Sequence, residues 1–238
     1  MPGLGTIINT AAIVVGGLLG LLFKNLLTKS MEDTLLKASS VCVLFIGIGG
    51  AMQHMLKITD GALETSGSMM LIICFVLGSI VGELLDIEGA FERFGAWLRK
   101  KTHNESDTGF LSAFIHASLT VCIGAMAIVG SIQDGLLGDS SLLCAKAALD
   151  AVMILVMTAS MGKGCIFSAI PVALLQGGVT LLSRVLAPVF TEAAIANLSY
   201  TGSVMIFCVG LNLVWGKKIK VANLLPTLVF AVLYALVF

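Results

Sequence analysis

Ser141-Leu-Leu-Cys-Ala-Lys-Ala-Ala-Leu-Asp-Ala-Val-Met-Ile-Leu-Val-Met-Thr-Ala-Ser-Met161 is long enough, as a helix, to cross the roughly 30 Å of bilayer hydrocarbon. It nevertheless carries Lys146 and Asp150, one helical turn apart. An ionised side chain near the bilayer centre costs about 3 kcal/mol on insertion scales, so it faces a partner or a wet cavity. Counted inward from Ser141 by helical rise, Lys146 lies about 8 Å deep and Asp150 about 14 Å deep. Lysine can snorkel to the headgroups from there, and aspartate cannot. Two readings stay open: an ion pair that only cancels the insertion penalty, or a proton or cation site built around Asp150 with Lys146 as its charge partner.

The rest of the chain has the same character. It is 58% hydrophobic and 12% charged, with a mean hydropathy of +1.03. Eight apolar segments can be drawn: Gly3–Phe23, Leu35–Leu56, Gly67–Leu85, Gly109–Ile132, Ser141–Met161, Cys165–Leu186, Leu198–Trp215 and Val221–Phe238. The fold class is therefore all-α, a single polytopic membrane domain of about eight transmembrane helices in contact with the lipid bilayer. The formal net charge is zero and no basic arm is present, so nucleic acid is excluded as a partner. The first segment has no Lys or Arg before it, unlike a signal peptide, and is expected to remain as the first span. Six cysteines fall in or beside apolar runs without Cys-x-x-Cys spacing and read as packing residues, so no metal and no cofactor is expected.

Charge in the connections orients the spans. With the N-terminus outside, the odd-numbered loops hold 11 of the 14 basic residues, among them Lys24, Arg93, Lys163 and Lys217. Only Lys57, Lys146 and Arg184 fall toward the other side. The positive-inside bias then places both termini, Met1 and Phe238, outside. Between the third and fourth spans, Ile87, Ala90, Phe91, Phe94, Trp97 and Leu98 recur at helical spacing opposite Glu88, Glu92 and Arg93. That pattern predicts an interfacial helix over residues 86–101, lying in the membrane plane or offering a docking face to a partner.

Glycine punctuation suggests internal repeats. Val15-Gly-Gly-Leu-Leu-Gly20 is echoed by Leu77-Gly-Ser-Ile-Val-Gly82 and more loosely by Gln176-Gly-Gly-Val-Thr-Leu181. In each unit the second span carries Phe45-Ile-Gly47, Cys122-Ile-Gly124 or Cys208-Val-Gly210. The two-helix units cover about residues 5–56, 67–132 and 165–215, leaving 141–161 and 221–238 as extra helices. The interposed fifth span inverts the third unit relative to the first two, an arrangement common among secondary transporters. The pairs Gly16/Gly20 and Gly78/Gly82 also permit close helix approach, within the chain or between protomers of a homo-oligomer.

Further polar residues inside the spans extend the candidate site. Pro171 in the sixth span should free a carbonyl near Phe167, with Ser168 and Gln176 close by to line a cavity, or make only a packing kink with Ser168 bonded back to its own helix. Asn9, His116 and Asn212 lie in other spans and either line a path or bond a neighbouring helix. Gln133 and Asp134, in the run Gly130-Ser-Ile-Gln-Asp-Gly135, and Asp139 after it, read as an external vestibule or as turn formers. Signatures of soluble enzymes, such as Gly-x-Ser-x-Gly and His-Glu-x-x-His, are lacking, so no enzymatic activity is expected.

Gly5-Thr-Ile-Ile-Asn9, Gly16-Gly17, the run from Gly124 to Gly135, Lys146 with Asp150, Gln176-Gly177, Gly210-Leu-Asn212 and Asn223-Leu-Leu-Pro226 together resemble the YdfK/YqgA-like family of bacterial membrane proteins. The resemblance covers nearly the whole chain and implies a location in the bacterial cytoplasmic (inner) membrane. It implies at most a transport role, because the family carries no established activity. The expectation is a transporter or channel-like permease for a small solute or ion; the alternative is a membrane scaffold that binds a partner and transports nothing.

Overall fold

A computed structural model describes residues 2–24, 26–59, 61–104 and 107–237. Helix α1 (Leu4–Lys24) leads to α2 (Lys29–Met55), then a hairpin of β1 (Leu56–Thr59) and β2 (Ala62–Thr65), then α3 (Ser68–Leu85) and α4 (Ile87–Lys101). Next come α5 (Phe110–Cys122), α6 (Ala125–Leu137), α7 (Ser141–Met161), a 3-10 turn at Lys163–Ser168 and α8 (Ala169–Leu181). The chain closes with α9 (Ser183–Leu186), α10 (Glu192–Trp215), a second 3-10 turn at Val221–Leu224 and α11 (Pro226–Val237). Both predicted termini, Met1 and Phe238, lie outside the described residues.

Among the described residues, six helices are long and apolar enough to cross a membrane: α1, α2, α3, α7, the run Lys163–Leu181, and α10. The bent pair α5–α6 brings the number to seven if it is taken as one span, while Val221–Val237 is apolar but shorter. Two spans begin earlier than apolarity alone suggested, α2 at Lys29 and α10 at Glu192. In both, a threonine caps the first turn: Thr28 accepts from the Met31 amide and Thr191 from the Ala194 amide. Glu32 and Glu192 then sit where the helix dipole favours an acid. The hairpin is a small insertion in an otherwise all-α fold. Its register pairs Thr59 with Ala62, and Gly61 supplies the positive φ (81°) that so short a connection requires.

Glycines join three long helix pairs. A methyl group at Gly16 or Gly20 of α1 would run into the carbonyls of Ala151 or Leu155 on α7. At Gly47 of α2 it would meet the backbone of Phe207 on α10, and at Gly78 of α3 the backbone of Thr227 on α11. The two Gly-x-x-x-Gly pairs are thus used within the chain. Gly177 and Gly178 behave differently, since nothing lies within 4 Å of a Cβ built on either.

The interior is packed by Ile13, Val43, Phe110, Phe114, Met157 and Met205, whereas Leu18, Phe45, Ile72, Leu149 and Leu174 point outward, as lipid contact requires. Helix α4 occupies almost the predicted range. Its Phe94 packs on Phe114 (5.9 Å between rings) and Leu98 is buried against α5, while Trp97 stays outside, stacked on Phe94. At its start, Glu88 accepts from the Ala222 amide (3.0 Å), and the Glu88 amide donates to Asn223 (2.7 Å). The two segment starts therefore cap one another. Lys217 adds ion pairs to Glu88 (3.0 Å) and Glu92, and Lys220 one to Glu83. Burial alone would lower the Lys217 pKa, yet its bonds to Glu92 and Glu88 outweigh that and hold it above the ordinary lysine value.

Candidate functional site

On α7 the buried face runs through Leu143, Lys146, Ala147, Asp150, Ile154 and Met157, while Leu149 and Val152 face out. The spacing of three and four residues turns both charges inward. Lys146 Nζ lies 2.8 Å from Asp150 Oδ2 and donates to Oδ1 at 2.9 Å. Asn9 Nδ2, reaching across from α1, donates to the same carboxylate at 3.0 Å. The close approach of α1 to α7 through Gly16 and Gly20 is what allows so short a side chain to reach.

The ammonium has a further partner, which the sequence reading did not locate. Lys146 Nζ donates to the carbonyl of Val121 at 2.9 Å. Helix α5 ends there: Ile123 is extended, Gly124 adopts φ 146° and ψ 148°, and α6 leaves at a bend of 60°. In an uninterrupted helix the Val121 carbonyl would accept from the amide four residues on. The break frees it at the negative end of the α5 dipole and aims it at a cation. Only glycine adopts such a φ without strain, so Gly124 sets this geometry.

The discontinuity was expected in the sixth span, at Pro171, and the fourth was drawn as one segment ending at Ile132. The break between two α-helices falls instead at Ile123 and Gly124, between α5 and α6, and α6 runs to Leu137. In the sixth, the 3-10 turn comes first and Pro171 falls in the opening turn of α8, where its missing amide costs little. Pro171 and Leu174 help to line an apolar hollow of about 760 Å³ that also involves Cys122, Leu198 and Leu228.

The other candidates separate by location. Ser168 is buried, but its hydroxyl donates to the Cys165 carbonyl (2.7 Å) and makes no hydrogen bond to the pair. Asn212 is a clasp: its oxygen accepts from the Lys218 and Ile219 amides, and its nitrogen donates to the Ile219 carbonyl at 2.7 Å. With His116, Glu88 and Lys217 it lines a small cavity of about 120 Å³. There His116 Nδ1 lies 2.8 Å from the Ser112 carbonyl and 3.2 Å from the Ser112 hydroxyl.

Asp134 lies within helix α6, not in the exit loop, and is fully buried, while the neighbouring Gln133 is only half-buried. The Gly5 amide donates to Asp134 Oδ2 at 3.0 Å. Asp139 does form a turn, accepting from the Ser141 amide (2.9 Å), and its bonds to Ser141 hold its carboxyl below the usual range. Gln176 on α8 is buried with neither end of its amide partnered. Among the buried polar residues that sequence reading missed are Thr6, Ser131 and Thr180. Each lies three or four residues from a recognised one, which is the signal that was available.

Comparison with known proteins agrees with a membrane protein. The chain is 26% identical over 224 residues to the "Uncharacterized membrane protein YdfK" of Bacillus subtilis (strain 168), covering 94% of this chain and 92% of that protein. It is 25% identical over 235 residues to the "Uncharacterized protein YqgA" of Escherichia coli (strain K12), covering 96% and 94% respectively. No solved structure matches. The family described as "Protein of unknown function (DUF554)" matches residues 4–236, and the chain belongs to that family.

Proposed function

We propose that this membrane protein is a transporter or channel-like permease for a small solute or ion, with its site at Lys146, Asp150 and Asn9. The observation that carries this reading is the Lys146 ammonium held between the Asp150 carboxylate and the freed Val121 carbonyl. Interrupted helices whose ends meet charged groups inside the bundle are how transporters coordinate charged cargo. A pair needed only for insertion would have no use for the broken helix.

The reading also takes the N-terminus as outside, in a bacterial inner membrane, with α5 and α6 as one span and α11 as the eighth. Alternating span directions agree with the antiparallel glycine contacts of α2 with α10 and α3 with α11, and with the parallel contact of α1 with α7. Inverted repeats, if present, would supply the two moving halves. A scaffold role for α4 is less well supported. Part of its apolar face is occupied by α5, and Glu88 and Glu92 are engaged by Lys217. Purified protein in liposomes, screened against ions, protons and metabolites, tests the proposal. Flux that Asp150→Asn abolishes is expected. No flux with any solute, together with wild-type behaviour of Asp150→Asn in cells, would overturn it.

A further inference from the structure

Ten buried side-chain polar atoms lack a hydrogen-bond partner among the described residues. Seven belong to only six residues on three helices: Thr6 and Asn9 on α1, Ser131 and Asp134 on α6, Gln176 and Thr180 on α8. The other three, on Ser118, Thr158 and Thr227, are scattered over separate helices. Within each pair the spacing is three or four, so each helix presents one polar face. Helix α1 packs on both α6 and α8, and α6 packs on α8. A buried polar atom without a partner costs about 1–3 kcal/mol, so a cluster of them calls for an occupant.

Charge says what the occupant is. Asp150 is balanced by Lys146, whereas Asp134 has no ion pair among the described residues. The Gly5 amide that holds Asp134 Oδ2 is an orphan donor in the first turn of α1, where the helix dipole favours an anion. The other oxygen, Oδ1, is left fully buried and bare. The geometry points to a monovalent cation of sodium size, held between α1, α6 and α8 by Asp134 together with the hydroxyls of Thr6, Ser131 and Thr180 and the amide oxygens of Asn9 and Gln176.

The donors argue for this class of ion. All are hard oxygens, and one carboxylate balances one positive charge. A divalent ion takes more carboxylates, and among the described residues no group of three or more His, Cys, Asp or Glu is placed to hold a metal. Access comes through a cleft of about 390 Å³ lined by Thr6, Gly135, Gly177, Thr180 and Arg184. Gly135 lets α6 approach α8 there, because a methyl group on it would strike Ser183 and the Thr180 carbonyl. Asn9 belongs to both sites, giving its nitrogen to Asp150 and leaving its oxygen for the cation. The site deepens the proposed transport reading by naming a coupled or carried cation, and it can be tested without flux.

The experiment is thermal unfolding of the purified protein in detergent, titrated with NaCl while choline chloride holds the ionic strength constant. Wild type should show a saturable rise in Tm with sodium. Asp134→Asn should lose that rise, and Ser131→Ala or Thr180→Val should each weaken the apparent affinity about tenfold, the loss of roughly one cation ligand. These two neutral variants carry the test if Asp134→Asn fails to fold. Arg184→Gln should keep the response. A sodium rise with no transport would sink the permease reading and leave the cation site standing. Four results would overturn the site: no sodium-specific rise in wild type, a rise that survives Asp134→Asn or both neutral substitutions, a response to pH alone, or a collapse of Tm in Arg184→Gln that marks Arg184 as the counter-ion.

Discussion

Asp150 and Asp134 are both buried carboxylates, and both touch α1, at Asn9 and Gly5, about 6 Å apart along the helix axis. Their company differs. Asp150 meets a lysine, an amide and, through the lysine, the end of a broken helix; Asp134 meets one backbone amide. The first is balanced by the protein; the second has no ion pair among the described residues, and the cation proposed above would balance it. Each carboxylate is linked to a helix terminus, Asp150 through Lys146 to the C-terminus of α5 and Asp134 directly to the N-terminus of α1.

The largest effect should come from unbalancing the balanced site. Lys146→Met strands the Asp150 charge, and a single partner removed from a buried pair costs about 3–5 kcal/mol, visible as a large drop in Tm and in folded yield. Adding Asp150→Asn to it should restore most of that loss, because the double variant buries no net charge there. A double variant as unstable as Lys146→Met would show that the two residues do not act as a pair.

Next in size is Gly124→Ala. Its φ of 146° is strained for any side chain, so a loss of about 1–3 kcal/mol is expected. The Val121 carbonyl should also shift, so transport should suffer more than in a control such as Gly49→Ala, where nothing lies within 4 Å of a Cβ. Equal effects in both would detach the helix break from the site.

The unbalanced carboxylate should respond in the opposite sense. In sodium-free choline buffer, Asp134→Asn should be as stable as wild type or slightly more so, since it removes a charge with no cation beside it. A marked loss there would mean that Asp134 is already paired.

The smallest effect belongs to the clasp at the far end of the bundle. The Lys217 pKa is raised in the folded state, so its contribution is present in full below the unfolded value of about 10.4 and is lost as pH rises through the folded value. A Tm scan should therefore be flat for this group through neutral pH and fall in alkali. Glu88→Gln should blunt that alkaline fall.

Much of this was legible in the sequence because apolar runs and spacing are local facts. The pair on α7, the helix after the third span and the places of Asn9 and Gln176 inside helices follow from helical periodicity. The helix break was misplaced because a proline announces itself in sequence, whereas Gly124 is one of 26 glycines and shows its φ only in three dimensions. Asp134 read as vestibule because Gly130 and Gly135 around it suggest a turn; its burial depends on Gly5, far away in the chain. Asn212 read as lining and is a loop clasp because its partners are backbone groups, which carry no residue-type signal.

The most direct test of the central claim is flux through liposomes containing the double variant Lys146→Met/Asp150→Asn. That protein should fold, keep the sodium-dependent rise in Tm, and transport nothing that the wild type transports. Wild-type flux through the double variant would make the pair an insertion device and contradict the account.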